Sequence, residues 1–268
     1  MSHPNPSSNP TPSIPSLELF SLHGQNALIT GGSRGIGAAI AIALAEAGAF
    51  ICLAQRDPSN DSTINTIRSK GLKAESVSCD LANTENAKAV FQKALDVMGG
   101  QIHILVNCGG LLKRGASVDV CEADWDYLMD VNLKSLFLIC QSAGRHMIPL
   151  QRGKIINIAS LNSFIGGDQV APYTASKGGV AQLTKALSNE WAKHNIQVNA
   201  LAPGFIATDM NSDLRSSAEI FDQRANRTPA KRWGAPADFA GPAVFLASRA
   251  SQYVCGEVLV VDGGVLCS

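Results

Sequence analysis

The chain has no excess of either charge sign: among its 268 residues Lys+Arg and Asp+Glu number 22 each. No global field therefore draws it to nucleic acid or to an anionic membrane, and ligand affinity must come from local groups. It also has no apolar run long and uninterrupted enough to span a bilayer, and no basic-then-apolar leader opens it. Its seven cysteines form no C-x-x-C and no Cys/His metal spacing. Cys52, Cys79 and Cys108 instead fall on or just after apolar strand-like runs, where a thiol behaves as a small hydrophobe. These absences lead us to expect a reducing compartment, the cytoplasm, with no structural metal, no membrane and no nucleic-acid partner.

A 46% share of hydrophobic residues is ample for a buried core. Residues 1–20 stand apart: Met1 to Ser16 carries five of the twelve prolines and many serines, the composition of a disordered tail, with order beginning near Leu19 to Leu22. Thereafter strands and helices alternate with a period that suits a doubly wound parallel sheet. The expected strands are 26–29, 50–54, 74–78, 102–106, 154–159, 197–201 and 258–261.

The chemistry concentrates in Ala171-Pro172-Tyr173-Thr174-Ala175-Ser176-Lys177. Val180, Leu183, Leu187 and Trp191 give this segment the apolar stripe of a helix, so Tyr173 and Lys177, four apart, leave one face a turn apart. A nearby ammonium favours a phenolate and would make Tyr173 a usable acid or base near neutral pH. Upstream, Ile155-Ile156-Asn157-Ile158-Ala159-Ser160 reads as a buried strand delivering Ser160 to the carboxyl edge of the sheet. Taken alone, the same residues would also suit a solvated helix pair and a strand terminus. Near the start, Asn26-Ala27-Leu28-Ile29 is followed by Thr30-Gly31-Gly32-Ser33-Arg34-Gly35-Ile36-Gly37 and an Ala-rich helix. Glycines there tighten a strand-to-helix turn and let phosphate oxygens approach N–H groups at a helix N-terminus.

The glycine turn, Ser160, Tyr173 and Lys177, in this order and at these distances, resemble the short-chain dehydrogenase/reductase family over nearly all of the chain after residue 20. The resemblance implies a single Rossmann-type doubly wound α/β domain over 21–268, with a parallel seven-stranded sheet in the order 3-2-1-4-5-6-7 flanked by helices. It implies an NAD(P)-dependent oxidoreductase in which Asn132, Ser160, Tyr173 and Lys177 are catalytic, Asn132 helping to hold a water that relays protons to the lysine. Gly31, Ser33, Arg34, Gly35, Ile36 and Gly37 would hold the dinucleotide, with Asp80 and Leu81 at the adenine. Asn107, Tyr173, Lys177, the backbone of Ile206 and the hydroxyl of Thr208 would complete the cofactor site. Cys108 and Gly109 depart from the family's Asn-Asn-Ala-Gly, and tuning of that turn is expected. After the second strand, Gln55 stands where NAD-preferring members usually carry Asp, and Arg56 follows. Arg56 and Arg34 could bind a 2′-phosphate with forked hydrogen bonds, favouring NADP(H); Asp57 keeps NAD(H) possible.

Within the family, Leu111-Leu112-Lys113-Arg114, Glu190 to Asn195, Arg232-Trp233-Gly234 and the ending from Val261 to Leu266 look like 2-deoxy-gluconate and gluconate 5-dehydrogenases. The small-molecule substrate is then a carbonyl or alcohol of sugar-acid or polyol type, its carboxylate met by Lys113 or Arg114, with Ser160 and Tyr173 at the reacting oxygen. A ketone of polyketide or other secondary metabolism is the rival, since Phe205, Met210, Leu214, Ile220 and Phe221 would also suit a hydrophobic ligand. Two readings come from other classes. Gly31 to Gly35 satisfies the G-x-S-x-G elbow of an α/β-hydrolase, but that needs a late histidine and the last is His194. A non-catalytic nucleotide-binding scaffold is the second. Family members commonly form homo-oligomers, dimers or tetramers, through two long helices, here about 123–147 and 171–193.

Overall fold

The computed structural model of the protein describes residues 14–57 and 59–268. Seven strands form one sheet: β1 Asn26–Thr30, β2 Phe50–Gln55, β3 Ala74–Ser78, β4 Ile104–Asn107, β5 Gly153–Ile158, β6 Ile196–Pro203 and β7 Val258–Val261. All pairings are parallel and the order is 3-2-1-4-5-6-7, as the resemblance implied. The helices between them are α1 Gly35–Glu46, α2 Ser62–Ser69, α3 Thr84–Val97, α4 Glu122–Met129, α5 Ser135–Leu150 and α6 Ala171–Trp191. Three more follow β6: α7 Ser212–Arg215, α8 Ala218–Arg227 and α9 Ala240–Ala247.

A parallel sheet must be covered on both faces, and the two-residue period of the strands sorts its side chains into two cores. Leu28, Cys52, Leu105, Ile155 and Val198 pack with Phe91 of α3, Ile139 of α5 and Val180 of α6. Their neighbours Ile29, Leu53, Val106 and Ile156 point the other way, onto Ile40 and Leu44 of α1, Ile64 of α2 and Leu246 of α9. Each aliphatic side chain buried this way stabilises the fold by about 1.5–3 kcal/mol. Parallel order brings all the strand ends to one edge, where the turn into α1, the loop after β5 and the start of α6 meet.

The expected tail divides. Residues 1–13 lie outside the described residues. Ser16–Phe20 form a 3-10 turn entered from Pro15, with the Phe20 ring 6.4 Å from that of Phe245 and the Glu18 carbonyl accepting from Arg249. Proline content concealed this turn, because the last proline precedes it and the aromatic contact comes from α9. Among the described residues, no helix is long and apolar enough to cross a membrane, and no group of three or more His, Cys, Asp or Glu is placed to hold a metal. The cysteines are all free.

One buried charge strains the sheet. Lys154 in β5 is 9% exposed and donates to Ser251 Oγ at 3.2 Å. Burial pushes its amine from the ordinary 10.5 down to about 8. A folded-state value below the unfolded one costs stability in full below pH 8, and the cost fades as pH rises toward 10.5. Lys154→Met should therefore raise the Tm at pH 7 by several degrees, a gain of up to about 3 kcal/mol. The gap from the parent should close between pH 8 and 10 in thermal melts; a variant less stable than the parent at pH 7 would show that the bond to Ser251 outweighs the burial.

Candidate active site

The turn between β1 and α1 is as tight as its glycines allow. Gly31 and Gly35 have φ of +66° and +57°, where a side chain is strained. A Cβ on Gly31 would lie 2.7 Å from Gly109 Cα, and one on Gly37 would lie 2.1 Å from the Gly31 carbonyl oxygen. Thr30 Oγ1 accepts from the N–H groups of Cys108 and Gly109, at 3.1 and 3.0 Å, joining the ends of β1 and β4. Arg34, the N-cap of α1, makes no side-chain cap, and the first turn has no acidic residue. The dipole and uncapped donors of a 12-residue helix thus meet a cavity lined by Gly35, Ile36 and Gly37, an arrangement suited to an anion.

That cavity, about 700 Å³, also takes in Ser160, Tyr173 and Lys177. Ser160, just past β5, is 7% exposed, and its Oγ accepts from Asn162 N at 3.1 Å. Ser163 closes the loop: its Oγ accepts from Ser160 N at 3.3 Å and donates to the Lys177 carbonyl at 2.7 Å. Asn162 Nδ2 reaches Thr174 Oγ1 at 3.1 Å. Lys177 Nζ donates to the Ile158 carbonyl at 2.6 Å and lies 5.8 Å from the centroid of the Tyr173 ring.

The electrostatics differ from the sequence expectation. Burial pushes the Lys177 amine down to about 8, with Cys108 opposing. Burial raises the half-buried Tyr173 phenol, while a hydrogen bond with Ser160 and the positive charge of Arg114 draw it back. Lys177 was expected to lower the phenol, but desolvation dominates and the countering groups are Ser160 and Arg114.

Asn132 lies behind the cavity. It sits on a π-helical turn, Asp130–Lys134, between α4 and α5, a distortion that often marks functional sites. Its Oδ1 accepts from Leu111 N at 2.8 Å; its Nδ2 donates to Leu111 O at 2.9 Å and to Ser176 Oγ at 3.2 Å. The side chain thus clamps the loop after β4 to the start of α6.

Of the positions assigned to a dinucleotide, Gly31, residues 34–37, Ile206 and Thr208 line the cavity, whereas Ser33, Arg56, Asp80, Leu81 and Asn107 do not. Asn107 is 3% exposed and turns inward, its Nδ2 donating to Cys140 Sγ and to Asn157 Oδ1. Asp80 Oδ1 accepts from Ala82 N, within its own turn. Arg114 lines the cavity; Lys113 does not, being paired with Asp124. The sequence reading missed Asn162 and Ser163, although the serine pair Ser160-x-x-Ser163 is a capping spacing that could have revealed them.

The family described as enoyl-(acyl carrier protein) reductase matches residues 31–266. Gluconate 5-dehydrogenase of Gluconobacter oxydans is 43% identical over 94% of this chain and 98% of its own length. A 2-dehydro-3-deoxy-D-gluconate 5-dehydrogenase of Escherichia coli is 45% identical over 93% and 98%. A crystal structure of gluconate 5-dehydrogenase from Burkholderia cenocepacia, in complex with NADP and tartrate, superposes with a TM-score of 0.90. It is 41% identical, covering 94% of this chain and 99% of that one. The chain belongs to the short-chain dehydrogenase/reductase family.

It is accordingly an NAD(P)-dependent dehydrogenase acting on CH–OH, which closes the hydrolase and scaffold readings. The short-chain dehydrogenase/reductase site fits such a dinucleotide by its own chemistry. The α1 N-terminus offers uncapped donors for phosphate, and the glycine turn excludes any side chain from beneath them. Gly37→Ala should consequently abolish or weaken dinucleotide binding by at least ~10-fold in a fluorescence titration and lower Tm, because its Cβ meets backbone. Unchanged binding would show that the turn relaxes without moving the donors.

Proposed function

We propose that the chain interconverts a ketone and a secondary alcohol on a sugar acid, using NADP(H), with Ser160, Tyr173 and Lys177 as the reacting group. The observation that carries the substrate class is Arg114, which lines the same cavity and whose charge acts on Tyr173. A guanidinium so near the reacting oxygen suits a ligand bearing a carboxylate. The curated relatives that act on gluconate and 2-dehydro-3-deoxy-D-gluconate support the same class. Leu112, Ile165 and Met210 also line the cavity, which keeps a hydrophobic ketone as the second reading.

Support for NADP(H) comes from the loop after β2. The Asp57 carboxylate accepts from Ser59 N at 2.9 Å and Ser59 Oγ at 2.6 Å, bonds that hold it below the usual carboxylate range and tie it into its own turn. Arg56 is left as the charge of that loop that would meet a 2′-phosphate, while Arg34, across the glycine turn, pairs with Asp209 at 3.2 Å. Relatives solved with NADP point the same way.

The bound dinucleotide supplies or accepts the hydride. Ser160 donates a hydrogen bond to the substrate oxygen as negative charge develops there. Tyr173 passes its proton to that oxygen in reduction and takes it back in oxidation; a phenol raised by burial holds its proton at neutral pH, the state reduction requires. Lys177, anchored on Ile158, keeps a cation beside the phenol, and Asn132 positions the loop that carries Arg114. Homo-oligomer formation through α4, α5 and α6 is part of the proposal, supported by exposed Trp125, Tyr127 and Phe137.

The test is NADPH oxidation with 5-keto-D-gluconate, other keto-aldonates, neutral ketoses and hydrophobic ketones. Turnover of the acids carries the proposal; turnover of hydrophobic ketones alone would replace it with the second reading. Tyr173→Phe should lower kcat/KM by ~10²–10⁴-fold while NADPH titrates normally. Substantial remaining turnover would remove Tyr173 from the proton transfer. Arg56→Ala should weaken NADPH by ~10-fold or more and NADH little, as befits a lost charge-assisted bond. Equal losses would show that Arg56 does not read the phosphate.

A further inference from the structure

Arg224, on α8, is a cation built into the cavity wall that forms no ion pair among the described residues. Its guanidinium carbon lies 4.9 Å from the centroid of the Phe205 ring. Phe205 leans on Trp233 at 6.0 Å, and Trp233 stacks on Phe221 at 5.5 Å with the planes 9° apart. Trp233 is 7% exposed and donates from Nε1 to the Phe221 carbonyl at 3.0 Å, so the platform beneath the guanidinium is fixed. Arg224 Nε is buried and has no hydrogen-bond partner among the described residues. Burial is the chief influence on the group, and the nearest charges include two of its own sign, Arg227 and Arg114, against the carboxylate of Asp168. A half-buried guanidinium beside like charges, with a sealed unsatisfied donor, is costly unless an anion arrives.

Arg114 is its neighbour: the charge of Arg114 acts on Arg224 as it does on Tyr173. Both line the same cavity. A ligand with its carbonyl at Ser160 and Tyr173 therefore meets two guanidiniums within one cavity.

We infer that Arg224 is a specificity-determining residue that receives the substrate's carboxylate together with Arg114, its guanidinium supported by the Phe205 ring. The inference rests on the sugar-acid reading and deepens it: the acid end of the substrate is read from α8 as well as from the loop after β4. A guanidinium over a ring can still offer forked hydrogen bonds to a carboxylate, which a lysine cannot reproduce.

The experiment compares the parent with Arg224→Gln and Arg224→Lys in NADPH-dependent reduction of 5-keto-D-gluconate, 2-keto-D-gluconate and the neutral ketose D-fructose. Binding of D-gluconate to the NADP-loaded protein is followed alongside by tryptophan fluorescence. The parent should reduce a keto acid in preference to fructose. In Arg224→Gln, KM for the 5-keto acid and Kd for gluconate should rise 10- to 100-fold, with a much smaller loss on fructose, so that the acid-to-ketose ratio of kcat/KM falls at least tenfold. Arg224→Lys should lie between. Equal losses on acid and ketose, or no change in KM and Kd, would overturn the role of Arg224 while leaving the sugar-acid reading intact. A parent that turns over neutral ketones but no keto acid would overturn both.

Discussion

The hydrogen bond from Lys177 Nζ to the Ile158 carbonyl is the contact on which the cavity-bearing edge of the sheet depends. It fastens α6 to the end of β5 through the side chain that also borders the cavity. Taking an ammonium out of water is expensive, and the fall of this amine to about 8 is the measure of that cost. The surroundings offset it by crossing the same seam repeatedly: Ser163 donates to the Lys177 carbonyl, and Asn162 reaches Thr174 one turn earlier. Tyr173 and Lys177 are thus held at both levels of the helix against the loop bearing Ser160. Since each crossing starts from a residue within three positions of Ser160, the geometry of Ser160, Tyr173 and Lys177 is set as one unit.

A second layer of polar bonds lies beneath that seam. Asn107 of β4 and Asn157 of β5 are paired in the sheet register and joined side chain to side chain at 3.0 Å. Asn157 Nδ2 continues to Thr184 Oγ1 at 3.0 Å, and Thr184 bonds back to the Val180 carbonyl within α6. All three side chains are essentially fully buried. Such a network within an otherwise aliphatic face admits one alignment of strand against helix, since a slip would strand every amide at once. One acceptor, Asn107 Oδ1, already lacks a partner among the described residues, so tolerance for further loss is small. Asn107 acts on the site from below, through the placement of α6, and not through the cavity surface.

What the sequence could disclose follows the range of the interactions involved. Tyr173 and Lys177 were legible because helical spacing is local, and the seven strands because buried parallel strands are short apolar runs. Their order came only from resemblance, since periodicity carries no information about which strands are neighbours. The outer strand limits moved by a residue or two: β4 begins at Ile104 and not Ile102, the apolar run continuing past the ladder. The direction of the Tyr173 shift was not legible at all. It depends on how much water the folded site excludes, and on Arg114 arriving from a loop 59 positions upstream. Arg224 was missed for the same reason, as its meaning lies in Phe205 and Trp233, which the fold and not the sequence places beside it.

The two departures from the family's Asn-Asn-Ala-Gly show how such long-range terms constrain a local motif. A Cβ at Gly109 would fall 2.3 Å from Leu81 Cδ1, so the missing methyl is the space that Leu81, arriving from the end of β3, now fills. The glycine at 109 and the leucine at 81 are therefore one packing solution, and restoring alanine alone would force Leu81 out of its place. Cys108 packs on the glycine turn, its Sγ 3.2 Å from where a Cβ on Gly37 would stand. Burial pushes this thiol up to about 11 despite the opposing charge of Lys177, so it stays protonated and inert at neutral pH and serves as filler. Both changes act on side-chain space alone. The N–H groups of the same two residues still meet Thr30 Oγ1, and through that hydroxyl the ends of β1 and β4 keep the spacing on which the glycine turn is built.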